Sequence, residues 1–208
     1  MPVVGMNISE TFEQLTIQDL RDYVARGQEE YLYLDFKEVN DASLSSRDDR
    51  RNLACALSGF ANSSGGLTVW GGEARRNGDG IDCASALKEI DRIAVFLTRL
   101  NQLTGDSVDP TVHGVRHRIL ETGNGKGFAV SMIPESEIGP HMAKLGEDRY
   151  YKRSGGSFYK MEHYDIADMF SRRRKPNLVL TYRTEGIGAQ SRIILRLHND
   201  GRASARAP

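Results

Sequence analysis

Near the middle of the chain, an apolar helical pattern runs into a short apolar strand through only five residues. From Arg47 to Ala61 the residues Leu53, Ala54, Leu57 and Phe60 recur at helical spacing, with charges crowded into the first turns. Asn62-Ser63-Ser64-Gly65-Gly66 breaks the pattern, and Leu67 to Trp70 reads as a strand. A helix and a strand joined this closely share one core, which predicts an α+β domain. Asn62 tolerates the left-handed conformation and suits a helix C-cap, while Gly65-Gly66 permits a tight turn into the strand. A second pair, Gly71-Gly72, ends that strand and marks either a bulge or the close approach of a ligand or another backbone.

The flanking segments extend this reading. Thr16 and Asp19 form a capping-box-like start for a helix over 17–26, stopped by Gly27. YLYLDFKEV (31–39) alternates as a strand, with Leu32, Leu34 and Phe36 on one face and Tyr31, Tyr33, Asp35 and Lys37 on the other. Residues 40–46 form a polar loop. An amphipathic pattern from about 84 to 103 predicts a second helix. Strands over 115–121 and 128–133 flank a Gly-Asn-Gly turn, and 149–153 is a further strand. A short helix over 162–173 is stopped by Pro176. LVLTYR (178–183) and RIILRLHN (192–199) are strand-like, followed by an Asn-Asp-Gly turn. The expected division is therefore a body, 1–176, with a small mixed or antiparallel sheet and packed helices, and a β-rich appendage or start of a second domain, 177–208.

Composition removes several classes. Hydrophobic residues make up 39% and charged residues 27%, which excludes wholesale disorder. No apolar run approaches a membrane span, and MPVVGMNISETFEQ lacks the basic and apolar stretches of a secretory signal. Two cysteines, Cys55 and Cys83, cannot form a disulfide framework, so the expected location is the cytoplasm. Twenty-eight basic residues balance twenty-eight acidic ones. The balance hides a gradient, because residues 1–40 hold three basic and eight acidic side chains and 141–208 hold fourteen and seven. A segregated basic end can bind phosphate locally.

Familiar catalytic signatures are missing. GNGKG (123–127) lacks the first glycine and the hydroxyl residue of a phosphate-binding loop, and lies between strands. His113 and His117 are four apart in a β-type pattern, without the glutamate of a zinc helix, and His141, His163 and His198 are scattered. No Gly-x-Ser-x-Gly elbow supports nucleophilic hydrolysis.

A basic strand does carry binding logic. In Arg149-Tyr150-Tyr151-Lys152-Arg153, alternation places Arg149, Tyr151 and Arg153 on one face, where guanidinium groups could meet phosphates beside a stacking ring. Ser154-Gly155-Gly156-Ser157 could present backbone N–H groups to an anion. The run Arg172-Arg173-Arg174-Lys175 suits a helix C-terminus as well as a phosphate.

The ordered segments LDFKEV (34–39), LACALSGFANSSGGLTVWGG (53–72) and IPESEIGPHMAKLGEDRYYKRSGGSFYKM (133–161) resemble the Alba-like DNA-binding domain of the Schlafen group over roughly residues 15–170. That pattern has a Glu-Phe-Lys strand and a helix ending in Phe-Ala-Asn-Thr-x-Gly-Gly. A strand leading to Gly-Val-x-Asp, a Tyr-Tyr-Arg-Arg-like strand and a Gly-Ser turn follow. Here Asp35 replaces the usual Glu, Ser63 replaces Thr, and Gly72-Glu73-Ala74 replaces Val-x-Asp. The resemblance implies a nucleic-acid-binding role, with DNA or RNA as partner, through Lys37, Arg149, Tyr151, Lys152, Arg153, Ser154, Gly155 and Gly156. Asn62, Gly65, Gly66, Gly71 and Gly72 would form its structural or ligand loop.

Glu30, Asp35 and Glu73 resemble the carboxylates of Schlafen nucleases, which would hold Mg²⁺ or Mn²⁺ and activate water. Glu30 and Asp35 differ by an odd number, so on one regular strand they would face apart; Glu29 has the right parity instead, or else Glu30 precedes the strand. Structurally, Asp35 can simply pair with Lys37 on an exposed strand face. The leading expectation is a regulatory binding module that needs no cofactor and does not engage a membrane, with a homo-oligomer left open. The alternatives are a Mg- or Mn-dependent endonuclease and a nucleotide- or protein-binding regulatory domain.

Overall fold

In the computed structural model the described residues are 7–78, 80–172, 178–187 and 190–199. In chain order the elements are α1 (Ile8–Gln14), α2 (Ile17–Ala25), β1 (Leu34–Lys37), α3 (Arg47–Ala61), β2 (Gly66–Trp70), β3 (Gly72–Arg76), β4 (Asp82–Leu87), β5 (Ile90–Asp91) and α4 (Ile93–Ser107). They continue with β6 (Val108–Asp109), β7 (Arg116–Gly123), β8 (Lys126–Ile133), β9 (Met142–Ala143), β10 (Arg149–Ser154), β11 (Ser157–Lys160), α5 (His163–Arg172), β12 (Leu178–Ile187) and β13 (Gln190–Asn199). The fold is α+β. The chain divides into two units, Met1–Glu162 and His163–Pro208, so α5 is grouped with the β12–β13 hairpin.

The first unit is organised by a five-stranded sheet. β1 runs parallel to β2 across the α3 crossover, and β2 runs antiparallel to β8. β7 and the short β5 also pair antiparallel with β8. Alternation divides the sheet cleanly between two cores. Leu34, Phe36, Leu67, Val69, Phe128, Val130 and Met132 face Phe12, Leu15 and Leu20 from the α1–α2 region. Trp70, Ala129 and Ile133 point the other way, against Leu53, Leu57 and Phe60 of α3 and Ile93, Phe96 and Leu100 of α4. A small sheet of β11, β10, β9 and β6 lies beside α3, and β3 pairs with β4.

The helix ends follow local chemistry. Asn7 accepts from the N–H groups of Ser9 and Glu10, while Thr16 and Asp19 complete a reciprocal capping box. Ser46 caps α3 by accepting from Asp49 N–H. The buried Asp49 carboxylate in turn accepts from the backbone of Asn40 and Asp41, which pins the polar loop to the helix. At the β7–β8 turn, Asn124 and Gly125 both adopt positive φ, as a two-residue hairpin turn requires.

A neutral polar chain crosses the α3–α4 side of the sheet. Trp70 Nε1–H donates to Ser131 Oγ at 2.7 Å, and that hydroxyl lies 2.6 Å from His117 Nδ1. His117 Nε2 lies 2.8 Å from Thr104 Oγ1, whose hydroxyl donates to the Leu100 carbonyl at 2.7 Å. One assignment satisfies every donor: Ser131 donates to Nδ1, and the protonated Nε2 donates to Thr104. Burial holds His117 down to a pKa of about 4, consistent with the neutral ring.

Three local expectations are corrected, and one helix is added. The strand over 31–39 is confined to Leu34–Lys37, because Tyr31 and Leu34 exchange backbone hydrogen bonds around a tight turn. The helix expected over 84–103 begins only at Ile93. Upstream, Asp82–Leu87 pairs with β3 and Ile90–Asp91 with β8. The spacing of Leu87 and Ile90 imitates a helix, yet strand pairing supplies their backbone partners. Asn62 is the C-cap of α3, as expected, but at φ −81° and not in the left-handed conformation that it tolerates. Helix α1, without a counterpart in the sequence reading, covers one face of the sheet. Arg173, Arg174 and Lys175 of the basic run, the expected boundary at 176/177, and Asp200-Gly201 of the last turn lie outside the described residues.

Candidate nucleic-acid interface

The basic strand β10 splits its side chains by burial. Tyr151 and Arg153 are buried, whereas Arg149 is exposed. The expectation that Arg149, Tyr151 and Arg153 share a solvent-facing surface is therefore corrected, because two of the three point into protein. Tyr151 packs with Ala54 of α3, and its hydroxyl donates to Glu147, which also binds Arg51 and Lys160.

Arg153 forms the centre of a buried ionic cluster. Its guanidinium lies against the edge-to-face pair of Phe60 and Phe158, 4.9 and 4.4 Å from their centroids. Nη1 donates to Asp35 Oδ1 at 3.2 Å, Nη2 donates to the Leu34 carbonyl at 2.6 Å, and Nε donates to the Tyr31 carbonyl at 3.1 Å. Glu30 Oε2 is 3.8 Å from Nη2. Lys37 Nζ meets the same Asp35 oxygen at 2.6 Å, so the expected Asp35–Lys37 pair forms, but on a buried face and not the exposed one, because α3 and β10 cover this side of β1.

The tight turn over 31–34 explains how Glu30 and Asp35 come together despite their odd separation. Glu30 precedes the strand, and the reversal returns its carboxylate to accept from Phe36 N–H at 2.9 Å. Burial and then the neighbouring Asp35 raise the Glu30 pKa to about 7, against the opposing pull of Lys37 and Arg153. Burial lowers the affinity of Lys37 for its proton, but Asp35 and Glu30 overcome this, and its pKa lies above the ordinary lysine value.

The Asn-Ser-Ser-Gly-Gly joint holds β10 against α3. Asn62 Nδ2 donates to the carbonyls of His141 and Tyr151, both at 2.9 Å, and Asn62 Oδ1 accepts from His141 N–H at 2.7 Å. Ser58 Oγ accepts from Tyr151 N–H, and Ser63 Oγ accepts from Arg153 N–H. These side chains finish the edge of β10 that β9 leaves open.

The glycines of the expected ligand loop meet protein instead of open space. A Cβ on Gly65 would lie 2.9 Å from the Ile133 carbonyl oxygen, and one on Gly66 2.1 Å from the Phe60 ring. Gly71 would strike the Lys88 carbonyl oxygen at 2.7 Å, and Gly72 the Phe36 ring at 2.8 Å. Gly156 lies under the Glu30 carbonyl, whereas Gly155 has open space around its Cβ position.

The three candidate metal-binding carboxylates are not arranged as one donor set. Glu30 and Glu73 line a cleft of about 220 Å³ with Lys37, Glu38 and Asp82, but Asp35 is not part of that lining. Asp35 Oδ1 already accepts from two cations, and Glu73 is 2.5 Å from Arg75 Nε. Among the described residues, no group of three His, Cys, Asp or Glu side chains could hold a metal ion. Such an arrangement does not fit Mg²⁺ or Mn²⁺, which need several converging oxygens.

The solvent side of the β10–β11 hairpin has different chemistry. Lys152 pairs in register with Tyr159 and Ser154 with Ser157, so each pair shares a face. Tyr159 is 51% exposed. Tyr159 belongs to no motif in the sequence, although counting outward from Gly155-Gly156 aligns it with Lys152. Among the described residues, no helix is long and apolar enough to cross a membrane.

No family model matches the chain, and no curated protein matches it significantly. Among solved structures, the DIP2311 protein of Corynebacterium diphtheriae aligns over 78% of this chain at 18% identity and a TM-score of 0.44. This chain covers 28% of that protein. The N-terminal domain of a RecG-related protein from Nitrosomonas europaea aligns over 72% of this chain and 97% of its own length, at 20% identity and a TM-score of 0.44. Neither likeness is close enough to carry an assignment.

Proposed function

We propose that this chain is a nucleic-acid-binding module of the Schlafen Alba-like kind, holding DNA or RNA on the solvent side of β10–β11. The observation that carries the reading is the cross-strand neighbourhood of Lys152 and the half-exposed Tyr159. An aromatic ring beside cations can stack on a base while the cations meet the backbone. Ser154, Gly155, Gly156 and Ser157 extend that face as a turn that a phosphate could approach. Arg153, Tyr151, Asn62 and Lys37 position the hairpin from behind.

Binding is preferred to cleavage because Glu30, Asp35 and Glu73 are engaged by protein cations and backbone. Fluorescence anisotropy with labelled single-stranded DNA and RNA tests the proposal. Tyr159→Ala removes one stacking platform, worth about 1–3 kcal/mol per base, so affinity falls roughly 5- to 150-fold. Unchanged affinity in a folded variant, or no binding by the parent chain at low salt, would reject the hairpin as the site. Mn²⁺-dependent cleavage lost in Glu30→Gln and Glu73→Gln would reverse the preference.

A further inference from the structure

The second unit contains a ten-by-ten-residue hairpin with strongly unequal faces. Cross-strand partners include Leu180 with Leu197 and Tyr182 with Leu195, and Leu178 and Ile193 extend the same face. These six residues are 51 to 75% exposed. Thr181, Arg183, Glu185, Arg192, Arg196 and His198 fall on the opposite face by the same register, together with the half-buried Val179 and Ile194. Two strands alone are marginally stable in water, and an apolar face of this size favours a covering partner.

We infer that the face formed by Leu178, Leu180, Tyr182, Ile193, Leu195 and Leu197 is a dimerisation surface whose partner is a second copy of this chain. At roughly 200 Å² for a fully exposed large residue, the six offer on the order of 700–800 Å² per copy. A standard stable interface buries about 800 Å² on each side. The face carries no charged residue, so two identical faces can meet without like-charge repulsion. They would stack as a sandwich with sheets ~10 Å apart and their charged faces outward. A two-fold arrangement uses the same patch on both copies and closes at two.

Sedimentation of the full chain from about 1 to 100 μM tests this directly. The parent chain is expected to dimerise, and Leu180→Asp combined with Leu195→Asp should weaken the dimer by at least about 100-fold. Arg196→Glu, on the opposite face, should leave it intact. Trp70 fluorescence reports whether the first unit remains folded in each variant. Should the paired substitutions unfold the hairpin, hydrogen exchange of the parent chain provides the second reading, with amides of 178–187 and 190–199 gaining protection as concentration rises. A parent chain monomeric throughout, assemblies larger than two, a dimer indifferent to the Asp pair, or concentration-independent exchange would each overturn the inference.

Discussion

The α3–α4 side of the main sheet buries two polar groups with opposite designs. One is the neutral chain Trp70–Ser131–His117–Thr104, whose donors and acceptors close on one another. The other is the ionic cluster of Glu30, Asp35, Lys37 and Arg153, in which Asp35 Oδ2 has no hydrogen-bond partner. A closed neutral chain is satisfied in place, whereas buried charges depend on every counterpart being present. The chain therefore secures the sheet, while the cluster ties the candidate binding hairpin to β1 and the turn before it.

Removing Arg153 should have the largest effect on folding. Arg153→Met leaves Asp35 and Glu30 buried with fewer counter-charges, and loss of one partner from such a cluster costs about 3–5 kcal/mol. Adding Asp35→Asn should recover part of that loss. Urea denaturation of the single and double variants measures both. Equal stability of Arg153→Met and the parent would show that the cluster contributes only packing.

Acid separates the two polar groups by sign. The folded pKa of His117, about 4, lies below its ordinary 6.5. Stability from this group is complete above about pH 6.5 and is lost as pH falls through 4, by up to on the order of 3 kcal/mol. Glu30 is raised from 4.5 to about 7, so its contribution is complete below 4.5 and is lost as pH rises through 7. The opposing slopes flatten the parent profile between pH 4.5 and 6.5. His117→Gln should make acid relatively more favourable, whereas Glu30→Gln should make neutral pH relatively more favourable. Urea midpoints at pH 4.5, 6 and 7.5 check both signs.

A smaller effect follows for Ser131. Ser131→Ala leaves Trp70 Nε1–H and His117 Nδ1 without their shared partner, at a cost of about 1–3 kcal/mol. The same urea titration, compared with Thr104→Val at the other end, shows whether the chain is coupled.

The sequence reveals regular local features and obscures those produced by tertiary pairing. The α3 stripe, the Thr16–Asp19 capping box and the Asn124-Gly125 turn are local, and they occur where spacing predicts them. Alternation along β10 also has the expected period, but period alone does not identify the buried face. That choice depends on Gly59, where a Cβ would come within 2.3 Å of the Phe158 ring, and on Ser58, Asn62 and Ser63 completing the strand edge. The meeting of Glu30 with Asp35 depends on a tight turn inside what reads as one strand. The apparent helix over 84–103 reflects apolar spacing that strands β4 and β5 use differently.

The salt dependence of oligonucleotide binding tests the central claim most directly. Each phosphate contact contributes about −0.7 on single strands, or −0.9 on duplex DNA, to the slope of log affinity against log salt. With Lys152 contacting phosphate beside Tyr159, Lys152→Ala should flatten that slope by up to about one unit. Arg153→Lys, which keeps the charge inside the protein, should leave the slope of folded chain unchanged. Binding with the parent slope in Lys152→Ala would contradict a nucleic-acid surface on β10–β11.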